Sequence, residues 1–452
     1  MKSGALNFNC VAERFTMSQI IEYIKDKKIL VLGYGREGIS TYNYIRKHLP
    51  EKKFTIADKN YIKIEDDNID LICGDDYLSC LGNFDIVFKS PGIAFLDDVK
   101  YPDTTEITCQ TDMFLRFAKP TVVGITGSKG KTTTSTLIYE MLKSGGKNTC
   151  LIGNIGVPVF EKADESEDLI AVIEMSSHQL EFTTASPKVA VLVNIYEEHL
   201  DHYKTGFDGY ANSKLNITRF QSQDDYFIYN NEQDVGHNLN VEEAINGKPV
   251  KVGFTKAQND EFVNELWQST EHLKGEHNRQ DIAYAVEAAR IFSVDDESIR
   301  NAIKNFGGIE HRMEFVGKFK NVSYYNDSIA TIPTAVMGAI KALKNVETLI
   351  FGGLDRGIDY EEFIQFLIQS DIKNLIGLPE TGHDILDDVK LHNTMVNAIY
   401  AEGMEDAVLN AIKLTDENGV CLFSPAAASY NYYKNFEEKG RHFKELVVKY
   451  AQ

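Results

Sequence analysis

Short apolar, β-branched runs, each closed by a glycine turn and followed by apolar residues spaced three and four apart, recur along the chain. The clearest lie at 28–33, 121–126 and 347–353. A run that is apolar on consecutive positions suits a strand buried on both faces, and its alternation with helical segments predicts parallel sheets covered by helices. Three such starts predict an α/β protein of three domains, with boundaries near Gln110 and Arg312, giving 1–110, 111–312 and 313–452. The segment 221–268 is polar and irregular and is expected to be a peripheral excursion from the central sheet. No repeat of solenoid length and no low-complexity tract is present.

The length of 452 residues agrees with several domains, and 43% hydrophobic with 25% charged residues is the balance of a globular chain. A net charge of -20 leaves no basic footprint for nucleic acid, although a locally positive pocket can still take a small anion. Cys10, Cys73, Cys80, Cys109, Cys150 and Cys421 are scattered without a C-x-x-C pair, so neither a disulfide framework nor a zinc site is expected. Residues 1–16 carry Glu13 and Arg14 and lack an apolar signal core, and no run reaches membrane-spanning length. A cytoplasmic protein with reduced thiols and no membrane segment is the expectation.

The strongest chemistry sits at Gly127, Ser128, Lys129, Gly130, Lys131, Thr132 and Thr133, between a strand and a helix with apolar Leu137, Ile138, Met141 and Leu142. Glycines let backbone N–H groups wrap phosphate oxygens at a helix N-terminus. Lys131 reaches the outer phosphates and Thr132 offers a hydroxyl to Mg²⁺. Ile125 stands where the longer phosphate-loop pattern has its first glycine, so the shorter form T-G-x-x-G-K-T fits better. ATP is the expected ligand.

A second turn, Gly33-Tyr34-Gly35-Arg36-Glu37-Gly38, also follows a strand, and Asp58 ends the next strand-like run. Taken alone this spacing suits NAD, a nucleotide-linked substrate, or only a tight turn. Gly92, after the run 85–88, would form another wall of the same crevice. Glu174 closes the run 169–173 at a strand's C-terminal end, where open α/β sheets bind ligands and where a carboxylate could complete a Mg²⁺ shell. His199 lies in the titratable cluster 197–202 and reads as a metal ligand, a substrate-orienting group or a structural histidine. Lys214 by itself reads as a solvated helical lysine.

Together these residues resemble the Mur ligase family. The resemblance runs over nearly the whole chain, through the loop at 126–132, Gly153-Asn154-Ile155-Gly156, 174–181, 199–203, His311-Arg312, and 424–429 followed by Lys434-Asn435-Phe436-Glu437. It implies a Rossmann-like N-terminal domain, a central P-loop ATPase domain with a mostly parallel sheet, and a Rossmann-like C-terminal domain. It further implies ATP and Mg²⁺ as cofactors. The C-terminal motif resembles the branch that joins D-glutamate to UDP-N-acetylmuramoyl-L-alanine, and the Asp-Asn-Pro-Arg signature of the diamino-acid branch is absent.

By that resemblance Gly35, Arg36, Glu37, Asp58 and Gly92 contact the UDP moiety, and Asn154, Ser176 and His199 lie along the rest of that substrate. Thr132, Glu174, His199 and a carbamylated Lys214 hold the metal, and Lys131, Glu174, His199 and Lys214 are the catalytic set. Asn278, Arg312 and Asp327 match positions around adenine, phosphates and ribose, while Thr331, Arg356, Ser429 and Phe436 match the D-glutamate pocket. Small-molecule substrates and a monomer are the expected partners and state. One departure stands out: the family's D-S-K-A-T-N run reads 327–332 with Ile329 for the lysine. Arg356, Arg312 or Lys129 then supplies that charge, or affinity and acceptor preference differ. A nucleotide-binding switch, an NAD-dependent oxidoreductase and a related ligase using another amino acid are the rival readings.

Overall fold

The first apolar run becomes β1 (Ile29–Leu32), followed by β2 (Phe54–Asp58), β3 (Ile69–Cys73), β4 (Ile86–Lys89) and β5 (Glu106–Thr108). The structure is a computed structural model that describes residues 18–96, 99–236, 239–270, 272–273, 275–343, 345–355, 358–392, 396–429 and 433–452. Arg356 and Cys10 lie outside the described residues. The chain divides into two compact units, Met1–Phe306 and Gly307–Gln452.

In the first unit, β1–β5 form a parallel sheet of order β3-β2-β1-β4-β5. Successive β1 side chains point to opposite faces: Ile29 and Val31 join one apolar cluster, Leu30 and Leu32 the other, and all four are fully buried. The direction of winding reverses between β1 and β4, so a crevice opens beyond their C-terminal ends.

The same unit holds a second sheet, built from β6 (Thr121–Thr126), β7 (Thr149–Gly153), β8 (Ile170–Glu174), β9 (Val189–Leu192), β10 (Tyr226–Tyr229) and β11 (Lys248–Lys251). All pairs are parallel, in the order β11-β10-β9-β6-β8-β7. Registers Ile125↔Glu174 and Thr126↔Leu192 bring the ends of β6, β8 and β9 to one edge. The helix Lys131–Ser144 buries Leu137, Ile138, Met141 and Leu142 and packs on the helix Glu276–Ile291.

The segment 221–268 is not peripheral to this sheet, because it supplies β10 and β11. The four-residue run of β10 is buried but brief among polar neighbours, and β11 is an edge strand carrying Lys248, Pro249 and Lys251, which masks the strand pattern.

The second unit contains β12 (Glu314–Phe319), β13 (Val322–Asn326), β14 (Val346–Phe351), β15 (Asn374–Gly377), β16 (Asn397–Tyr400) and β17 (Val420–Phe423). Their order is β12-β13-β17-β14-β15-β16, parallel except for the β12–β13 hairpin. Leu349, Phe351 and Leu422 fill one face, while Ile350, Cys421 and Phe423 fill the other. Among the described residues no helix is long and apolar enough to cross a membrane.

Candidate functional site

Beyond Thr126 the chain turns through Gly127 (φ 156°) and Gly130 (φ 84°) into the helix Lys131–Ser144. Gly130 is required twice over. Its backbone is left-handed, and a Cβ there would lie 2.7 Å from Asp281 Oδ1 and 2.9 Å from Val193 Cγ1. Asn194 fixes the turn from the neighbouring strand end: its Oδ1 accepts from the Ser128 and Lys129 N–H groups (3.1 and 2.9 Å), and its Nδ2 donates to the Lys129 carbonyl (3.0 Å). Ser128 Oγ pairs with Tyr210 OH at 2.7 Å, and Lys129 forms an ion pair with Glu198.

Glu174 is buried at the end of β8 and uses both oxygens. Thr132 Oγ1 donates to Oε2 at 2.8 Å and Asn154 Nδ2 donates to Oε1 at 2.7 Å. A hydroxyl and a carboxylate beside a phosphate loop are the hard oxygen donors that Mg²⁺ takes together with phosphate and water, so these residues fit that ion. Lys214 is also buried, and its Nζ donates to the Gly127 carbonyl (2.7 Å), which accepts from Lys131 Nζ as well (2.8 Å). Burial, then the charge of Lys131, holds the Lys214 ammonium well below the usual lysine range despite Glu198 and Glu174 nearby.

His199 lies between β9 and the helix Phe207–Arg219. It is exposed, adopts φ 53°, and packs its ring 5.1 Å from His178 and 6.4 Å from Tyr210. Among the described residues no group of three or more His, Cys, Asp or Glu side chains could hold a metal. Of the residues that the resemblance assigns to the metal, Thr132 bonds directly to Glu174, and the Lys214 ammonium feels the Glu174 charge. His178 stacks on His202 (3.9 Å between ring centroids), and burial followed by the His202 charge depresses it to about 3. Ser176 caps the short helix Ser177–Leu180 through a capping box with Gln179.

The crevice of the first sheet is a cavity of about 510 Å³ whose lining includes Gly35, Arg36, Glu37, Asp58, Gly92 and Asn154. Gly33 (φ 89°) and Gly38 make the turn possible, because a Cβ on Gly38 would lie 1.9 Å from the Gly33 carbonyl oxygen. Asp58 accepts from the Tyr34 N–H (2.7 Å) and the Asn60 N–H (2.8 Å). Arg36 Nη2 donates to the Gly153 carbonyl (2.7 Å), and Gln179 Nε2 donates to Glu37 Oε1 (2.6 Å), so the wall joins both sheets of the unit. Burial raises the Glu37 carboxyl above its ordinary range. Ser176 and His199 are not among the lining residues; Gln179, Lys59 and Tyr77, which sequence reasoning missed, are.

Asn278 is half-buried at the start of the helix Glu276–Ile291. One turn on, Asp281 accepts from Thr134 Oγ1 (3.1 Å) behind the phosphate loop, and burial raises its carboxyl to about 8. In the second unit, Asp327 accepts from the Met313 N–H (3.0 Å) and Ser424 Oγ (2.7 Å), and burial raises it to about 6. Arg312 is exposed and Thr331 half-buried. The Phe436 ring stands edge-on to His311 at 5.9 Å. Ser429 is buried.

Comparison with known proteins matches residues 125–323 to the Mur ligase middle domain and residues 311–427 to the glutamate ligase domain of Mur ligases. The UDP-N-acetylmuramoylalanine–D-glutamate ligase of Clostridium botulinum (strain Loch Maree / Type A3) is 32% identical over 459 residues, covering 95% of this chain and 98% of that protein. The ligase of the same name from Thermoanaerobacter sp. (strain X514) is 32% identical over 450 residues, covering 94% and 99%. Among solved structures, MurF ligase from Thermotoga maritima in complex with ADP superposes with a TM-score of 0.52 at 16% identity, covering 94% of this chain and 96% of that one.

Proposed function

The chain belongs to the Mur ligase family, and from that premise we propose that it joins D-glutamate to UDP-N-acetylmuramoyl-L-alanine with hydrolysis of ATP to ADP and phosphate. The observation that carries this reading is Glu174, whose two oxygens hold Thr132 of the phosphate loop and Asn154 of the crevice wall. A nucleotide on the loop and a UDP-linked substrate in the crevice would meet at that carboxylate. The names of the relatives support D-glutamate as the amino acid.

In this proposal residues 1–110 bind the UDP moiety, 111–312 bind ATP and 313–452 bind the amino acid. The protein acts as a cytoplasmic monomer on small molecules. The carboxylate of the alanyl residue attacks the γ-phosphorus, forming an acyl phosphate and releasing ADP. The D-glutamate amine then attacks the acyl carbon and loses a proton, and the tetrahedral intermediate expels phosphate. Backbone N–H groups of the 127–132 turn and Lys131 cradle the phosphates, and Asn154 orients the donor beside Glu174. Bound Mg²⁺, held by Thr132 and Glu174, would neutralise phosphate charge. Asn278, Arg312 and Asp327 are the proposed contacts to adenine, phosphates and ribose, Ser176 and His199 to the muramoyl part, and Thr331, Ser429 and Phe436 to D-glutamate.

Lys214 is proposed to carry a carbamate. Its depressed basicity favours the neutral amine, which adds CO₂ and releases a proton to give an anionic ligand where an ammonium stood. Release of ADP by the purified protein, measured with the UDP substrate and a panel of amino acids, tests the function. Release that requires both the UDP substrate and D-glutamate is expected; release with neither, or equally with L-alanine or a diamino acid, refutes it.

A further inference from the structure

Lys89 ends β4, and Ser90, Pro91 and Gly92 directly after it line the crevice of the first sheet. Lys89 is only 3% exposed, and burying an ammonium is costly unless a counter-charge meets it. That counter-charge is Glu181, whose Oε2 accepts from Lys89 Nζ at 3.1 Å. Glu181 follows the short helix Ser177–Leu180 that begins beyond β8. The rings of Phe95 and Phe182 lie 5.6 and 5.2 Å from the same Nζ and shield the pair from water.

The same oxygen of Glu181 pairs with His202 Nε2 at 3.3 Å. His202 closes the turn Leu200–His202, and its N–H donates to the His199 carbonyl at 3.1 Å. The backbone around Glu181 is held as well: Asn216 Nδ2 donates to the Leu180 carbonyl at 2.9 Å and to the Glu181 carbonyl at 3.4 Å. Asn216 stands in the helix Phe207–Arg219 beside Lys214, whose Nζ reaches Gly127 of the phosphate loop. One residue therefore joins the strand end that leads into the crevice wall, the turn after His199, and the helix that carries Lys214. Burial pushes the Glu181 carboxyl up, but His202 and Lys89 outweigh it and hold the group below the usual carboxylate range. Loops at strand ends move more than the strands that carry them, so a shared anchor fixes their relative placement.

We propose that Glu181 is a positioning residue for ligation, holding the crevice wall and the 199–216 stretch in one register through Lys89, His202 and Asn216; this rests on the ligase reading above. Phosphoryl transfer needs the carboxylate of the UDP-linked donor in line with the γ-phosphate of a nucleotide on the loop, and a misplacement of about 1 Å costs on the order of 100-fold in rate. Glu181 is not among the residues that line the crevice. Its loss therefore acts on alignment more than on binding, which lowers kcat and spares KM.

Glu181→Gln keeps the shape but leaves the buried Lys89 without its counter-charge, whereas K89M/E181Q removes both charges and should regain the lost stability. His202→Phe keeps a ring to stack on His178 and leaves the Lys89–Glu181 pair intact. Steady-state kinetics of the full-length proteins would be measured with ATP and the UDP substrate each varied, alongside thermal unfolding. In E181Q, K89M/E181Q and H202F alike, kcat should fall about 10- to 100-fold with both KM values within about threefold. The Tm lost in E181Q should return in K89M/E181Q while kcat does not, and H202F/E181Q should be no slower than E181Q, because both changes break one unit. A kcat that recovers together with Tm, a wild-type kcat in H202F, or a loss confined to KM would overturn the assignment while leaving the ligase function intact. A wild-type protein that does not turn over the UDP substrate with D-glutamate would instead overturn the function, and the assignment with it.

Discussion

Asn154 donates its side-chain amide to Glu174 Oε1 at 2.7 Å, which ties the wall of the nucleotide-type crevice to the carboxylate beside the phosphate loop. The turn after the first sheet's β1 reaches the same wall, where Arg36 Nη2 donates to the Gly153 carbonyl at 2.7 Å. Glu174→Gln keeps the shape and removes the charge. It should reduce kcat by about 100-fold or more while leaving the fold intact. Asn154→Ala should act mainly on the UDP substrate, lowering its kcat/KM about tenfold with the KM for ATP little changed. Steady-state kinetics with each substrate varied in turn check both.

Gly130→Ala would place a methyl group against Asp281 and Val193 at a left-handed backbone position. The strain of about 1–2 kcal/mol from backbone alone, plus the clash, should distort the loop. ATP affinity is expected to fall more than overall stability; nucleotide titration and chemical denaturation of the same variant separate the two.

The buried Asp281 carboxyl, raised to about 8, gives the fold a pH dependence of definite sign. The folded state retains a proton that the unfolded chain releases near pH 4. Stability therefore declines as pH rises from about 4 to 8 and is level outside that window. Asp281→Asn removes this term and should be more stable than wild type by on the order of 4 kcal/mol at pH 7, with little difference at pH 4. Denaturant midpoints at the two pH values would show it, and a gap that shrinks with rising pH would contradict it.

Lys214→Ala should abolish turnover, and short carboxylic acids should restore part of it by supplying the missing anion. Unaltered turnover in that variant removes the carbamate from the mechanism. Incorporation of labelled CO₂ into wild type but not the variant gives an independent reading by NMR.

The phosphate loop and Glu174 were legible in the sequence because each is announced within a few residues, by glycines or by a charge closing an apolar run. Their partners were not. Asn194 reaches the loop from 65 residues away and Asp281 meets Thr134 across 147, so only the folded sheet order brings them together. The strands at 226–229 and 248–251 were hidden by their polar surroundings and edge position. The burial of Lys439 gave no local signal, since a lysine in an amphipathic helix reads as solvated. The ring contacts of His199 with His178 and Tyr210 were likewise out of reach, since they join residues 21 and 11 positions away.

The most direct measurement uses UDP-N-acetylmuramoyl-L-alanine labelled with ¹⁸O in its alanyl carboxylate. If ATP activates that carboxylate, the oxygen that bridges carbon and phosphorus leaves with the phosphate when the D-glutamate amine attacks. Mass spectrometry should then find one ¹⁸O in the inorganic phosphate for each peptide bond formed. Ligation that leaves the released phosphate unlabelled would contradict phosphoryl transfer to the carboxylate and, with it, the role given to the Thr132–Glu174–Asn154 bridge.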